Sequence, residues 1–120
     1  MAQLGRWLEA EVITGLPWLD RPVTLVFGSD LMSDVLAFSE AGAVLLTGLT
    51  NPQTVRTCEV AGIVGVIFVR GKRPPDAVVA LAEEYELPLL ATTLSLFDAC
   101  GKLYAQGVRG FSQAEGEEGW

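Results

Sequence analysis

Ser29, Asp30 and Asp34 crowd into the stretch LVFGSDLMSD, residues 25–34, where an apolar run breaks at Gly28. Asp30 and Asp34 stand at i and i+4, so on a helix they would share a face, the spacing an acid/base pair needs. The same residues suit the start of a helix. Ser or Asp caps free backbone N–H groups, and an acid in the first turn is favoured by the helix dipole. Capping accounts for Ser29 and Asp30. It leaves Asp34 to a polar contact with a ligand or partner, or to plain exposure.

Three further segments carry reactive or ligating groups, each after an apolar run: Thr47-Gly48-Leu49-Thr50-Asn51, Arg70-Gly71-Lys72-Arg73 and Thr92-Thr93. Together they supply hydroxyls, an amide, small residues, helix starts and cations. Ser29, Asp30, Thr47, Gly48, Thr50, Asn51, Arg70, Lys72 and Thr92 therefore form the candidate ligand-binding set, suited to a nucleotide or another anion. Short strand-to-helix turns use the same residue types for purely structural reasons.

No catalytic residue can be assigned. The chain has no histidine, which removes Ser-His-Asp and Cys-His sites. It has neither GxxxxGK[ST] nor GxGxxG, so no known phosphate loop is written in it. Cys58 and Cys100 are far apart, and structural zinc needs about four ligands, so no metal is expected. Both cysteines fall at apolar positions of helical patterns, which predicts reduced thiols packed in a core. No cofactor is implied, and the chain reads as a non-enzyme.

Charge narrows the partners. Fifteen acids against 8 bases give a net charge of −7, which disfavours nucleic acid, since backbone binding rests on cations. Half the residues are hydrophobic, yet no run approaches the ~18 apolar residues of a membrane span. The start, MAQLGRWLEAEV, lacks the basic-then-apolar pattern of a secretory signal. A cytoplasmic protein is expected.

The elements that must hold these groups alternate in kind. Apolar runs at 23–27, 43–46, 63–69 and 87–91 read as buried strands. Between and after them lie amphipathic segments. The first follows Ser29 and stops at Gly42. The second has Asn51 as cap, Pro52 as first residue and Gly62 as stop. The third follows Pro74-Pro75 with Val78, Val79, Ala82 and Tyr85 on one face. The last places Leu96, Phe97, Cys100, Leu103 and Tyr104 on one stripe. A short helix at Leu4–Leu8 and an extended piece at Glu11–Ile13 precede them. Continuous apolar strands alternating with helices predict an α/β fold: a single three-layer domain, residues 1–110, with a mainly parallel sheet flanked by helices. Residues 111–120 lose periodicity, are acidic, and are expected to lack fixed structure.

Residues 29–107 resemble the DRTGG domain, and its small stand-alone members above all. SDLMSDVLA and PLLATTLSLFDACGKLY carry the likeness most strongly. WLDRPVT, 18–24, is similar to the segment that names the family, keeping Asp20-Arg21 and replacing its threonine with Pro22. Such domains occur alone, fused to nucleotide-sensing CBS pairs or phosphotransacetylase-like enzymes, and near HPr kinase-like sequences. Small members are similar to accessory proteins encoded beside iron-only hydrogenase and redox-complex genes. The resemblance implies a non-catalytic accessory or regulatory domain that self-associates and binds a protein partner, with a redox or hydrogenase complex as the partner it suggests. The alternative is a small-molecule sensor that takes a nucleotide or other anion at the strand C-terminal edge. Trp7, Trp18 and Phe38 have no assigned place in the core, and unplaced aromatics on a small domain favour a homodimer.

Overall fold

The computed structural model describes residues 1–23 and 25–110. The expected tail, 111–120, and Thr24 within the expected first strand lie outside the described residues.

Four parallel strands arise where the apolar runs predicted them: β2 (Val26–Gly28), β3 (Val44–Thr47), β4 (Gly65–Phe68) and β5 (Leu89–Ala91). A fifth, β1 (Glu11–Thr14), pairs antiparallel with β5, giving the order β1-β5-β4-β3-β2. Parallel strands need covering on both faces, and alternate side chains of these strands go to opposite cores. Leu45, Val66 and Phe68 face α2 (Met32–Phe38), α3 (Pro52–Ala61) and α4 (Asp76–Glu84), through Val35, Val55, Cys58, Val78 and Ala82. Val44, Leu46 and Ile67 face α1 (Ala2–Trp7) and α5 (Leu96–Ala105), through Leu4, Ala99 and Leu103. This is the expected three-layer α/β domain.

Its connectivity explains the division of helices. The chain walks β2, β3, β4, β5 in one direction across the sheet, so same-handed crossovers put α2, α3 and α4 on one face. Only α5, after the last parallel strand, joins α1 on the other.

Local signals hold where the pattern was sharp. Asn51 accepts from the Thr54 N–H at 3.1 Å, and Gly62 ends α3 at φ 74°, a left-handed stop that suits glycine. Others shifted. The helix expected to run to Gly42 ends at Phe38, with the Ser39 hydroxyl donating back to the Val35 carbonyl at 2.8 Å. Trp7 packs against the α1/α5 core and Trp18 is half-buried with Arg21 over its ring, while Phe38 is exposed.

The cysteines differ from expectation in one respect. Cys58 is buried in α3, and burial pushes its thiol up to about 12. Cys100 is only half-buried, because α5 turns it toward a cavity at the β2 edge rather than into the sheet. Burial raises the Cys100 thiol too, so a thiol reagent added to the native protein is expected to modify Cys100 slowly but faster than Cys58, which reacts only as the fold opens. Equal labelling rates, followed by mass spectrometry, would contradict this placement.

Candidate functional site

The C-terminal ends of β2, β3 and β4 are neighbours, and the turns after them bring together Asp30, Thr47-Gly48 and Arg70. Asp30 is the centre. Its Oδ1 accepts from the Thr47 hydroxyl at 2.9 Å and from the Gly48 N–H at 2.7 Å. Its Oδ2 lies 3.9 Å from the Arg70 guanidinium, both side chains being 46% exposed. The Gly48 N–H bond, the Thr47 hydroxyl and the charges of Arg70 and Lys72 together hold the Asp30 carboxyl below the usual carboxylate range, against some desolvation.

Two backbone features make the cluster. Arg70 adopts φ 60° at the end of β4, with its N–H donated to the Leu94 carbonyl at 2.7 Å. That conformation turns the side chain back over the sheet edge. Gly48 then leaves room for it, since a Cβ there would fall on the Arg70 guanidinium.

Asp30 is therefore not the helix cap read from the sequence. α2 starts at Met32 with no side-chain cap, and Asp30 reaches across to the next strand instead. The i, i+4 pairing with Asp34 does not form either, because Asp30 precedes the helix while Asp34 lies within it. Ser29 makes a local turn, its hydroxyl oxygen accepting from the Leu31 N–H at 3.0 Å.

The remaining candidates scatter. Thr50 sits half-buried in the turn before α3, and the Asn51 side chain is taken up by its cap. Lys72 is exposed beside the cluster, contributing charge to it. Thr92 is turned away: its hydroxyl donates to the Leu8 carbonyl at 2.9 Å, fixing the end of α1. Arg73, the last cation of that loop, is held by Glu11 through two hydrogen bonds at 2.7 and 3.1 Å.

In open α/β sheets the binding crevice opens where successive connections part to opposite faces. Here that point lies between β4, which leads to α4, and β5, which leads to α5. It is stitched shut by the Arg70 and Gly71 N–H groups, donated to Leu94 and Thr92 carbonyls at 2.7 and 2.9 Å. A cavity of about 390 Å³ lies instead at the outer edge of β2, lined by Phe27, Gly28, Cys100, Leu103, Tyr104 and neighbours. Among the described residues no group of His, Cys, Asp or Glu side chains could hold a metal ion, and no helix is long and apolar enough to cross a membrane.

No family model matches the chain, and no curated protein matches its sequence. A solved structure does share its fold: the CBS and DRTGG domains of the regulatory region of Clostridium perfringens pyrophosphatase, complexed with the activator diadenosine tetraphosphate. The TM-score is 0.66 over 91% of this chain, at 14% identity. The present chain spans 47% of that chain's length. A DRTGG-like α/β architecture is what the resemblance in residues 29–107 implied.

Proposed function

We propose that this chain is a non-catalytic regulatory or accessory domain that works by docking, to a second copy of itself and to a protein partner. The observation that carries this reading is where its unsatisfied surface lies. At the strand edge, the Thr47 hydroxyl and the Gly48 N–H, the donors an anion or oxyanion would need, are already held by Asp30. Meanwhile Leu31 stands exposed just before α2, and Leu36, Phe38, Phe97 and Tyr104 stand exposed on helices. Apolar surface of that kind points to macromolecular contact. Similarity to a regulatory region supports the regulatory half of the reading, and a redox or hydrogenase complex remains the partner that the sequence resemblance suggests. Light scattering at micromolar concentration should give twice the chain mass, and a clean monomer would defeat the self-association.

A second reading has one specific observation behind it. The fold is shared with a regulatory region solved with a dinucleotide activator, and Asp30, Thr47, Gly48, Arg70 and Lys72 cluster at one strand edge. A ligand fitting that edge would set its hydroxyl or amino donors on Asp30 and its phosphates on Arg70 and Lys72. Thermal-shift titration with diadenosine tetraphosphate, ATP and acetyl phosphate tests it. Ligand at ~100 times its Kd adds about 2.7 kcal/mol of stability. No shift from any of the three, in wild type or Asp30→Asn, would remove the sensor reading.

A further inference from the structure

We propose that the outward face of α5 is the contact between two copies of this chain, the two helices packing antiparallel about a two-fold axis close to Gly101. The inference rests on the self-association proposed above and assigns it a surface. α5 is apolar on two sides. Ala99 and Leu103 are buried against the sheet. On the opposite side Phe97 is 86% exposed and Tyr104 60% exposed, flanking Gly101, where an added Cβ would meet nothing within 4 Å. An aromatic, a glycine and an aromatic at i, i+4 and i+7 give one outward stripe. The glycine allows a second helix to come close, and the interaxial distance of packed helices is set by the side chains at the contact.

The charges say which partner fits. Asp98 and Lys102 are the only charged residues of α5 and lie along one flank of the stripe. In an antiparallel pair related by a two-fold axis, like flanks meet in opposite directions. A centre near Gly101 sets Asp98 beside Lys102 of the second copy, twice over. It also sets each Phe97 beside Tyr104 of the second copy, at the mouth of the cavity that Cys100 and Tyr104 line. The Asp98–Lys102 flank is thus complementary to itself, while the Arg109 guanidinium, 3.9 Å from the Tyr104 ring centroid, makes the face positive in a chain of net charge −7. The exposed Leu36 and Phe38 of α2 lie between Asp34 and Glu40 in sequence, without a basic residue among them.

Gly101→Arg tests the face without threatening the fold, because the position is open in the single chain. Sedimentation equilibrium is expected to show the dimer dissociation constant rising at least ~100-fold, about 2.7 kcal/mol by the standard conversion, with an unchanged circular dichroism spectrum. Lys102→Glu should weaken the dimer, and Asp98→Lys combined with Lys102→Glu should restore it. Leu36→Asp should leave it intact. If wild type is a dimer and Gly101→Arg is equally dimeric, the α5 face is wrong while self-association stands. If wild type is a monomer throughout, both fail.

Discussion

Phe68→Ala is expected to destabilise the protein by about 3–5 kcal/mol, the usual range for truncating a buried aromatic. Among the described residues Phe68 is the largest side chain with no solvent exposure, on β4 between β3 and β5. It sits in the core under α2, α3 and α4, so its loss leaves a void bounded by both sheet and helices. A domain of this size has about 5–15 kcal/mol in total. The variant should unfold at a markedly lower urea concentration with an unchanged slope. Val60→Ala is the control: Val60 is exposed on α3, and its truncation should cost under about 0.5 kcal/mol. A Phe68→Ala loss no larger than that of the control would show that the core is not packed as described.

Asp30→Ala comes next, at about 1–3 kcal/mol, the cost of leaving buried donors without an acceptor. Thr47 and Gly48 are both buried, and the Asp30 Oδ1 takes hydrogen bonds from each. Asp30→Asn keeps an acceptor oxygen and should cost less. It should also change the response to acid. The Asp30 carboxyl titrates lower in the folded protein than in the unfolded chain. Its contribution is therefore complete above the unfolded value of about 3.9 and is lost as pH falls below that toward the folded value. Melting temperatures between pH 6 and 3 should fall less steeply for Asp30→Asn than for wild type. Parallel curves would mean that Asp30 is held by no more than its shape.

The strands were legible because β-branched apolar runs such as IVGVIFV have few other uses, and the Asn51–Gly62 helix because both its caps are written in sequence. What escaped were the contacts between segments. Nothing near Asp30 in the chain announces Thr47 and Gly48, which are 17 and 18 residues away, or the turn of Arg70 at φ 60°. Local reading saw a cap because only local partners were visible. Arg73 looked free for the same reason, its partner Glu11 lying 62 residues back. The α5 stripe failed differently. Leu96, Phe97, Cys100, Leu103 and Tyr104 span more of the helix than one core face can cover, and Phe97 and Tyr104 fall outside it. An apolar arc that wide leaves part of the stripe with no place against the sheet.

β1 pairs with β5, Glu11 against Ala91, and the Thr92 hydroxyl holds the end of α1. The only strand that β1 pairs with, among the described residues, is thus the last one in sequence, although α1 packs on β3 and β4 and Glu11 holds Arg73. During synthesis, β2 to β4 with α2 to α4 can assemble in the order they emerge, each unit beside the last. β1 cannot pair until β5 has been made, because its pairing strand does not exist before then. Closing so long a loop is entropically slow, and the edge of β5 stays open to other strands until it happens. A chain in which β1 has not docked exposes the edge of β5, through which neighbouring molecules could pair.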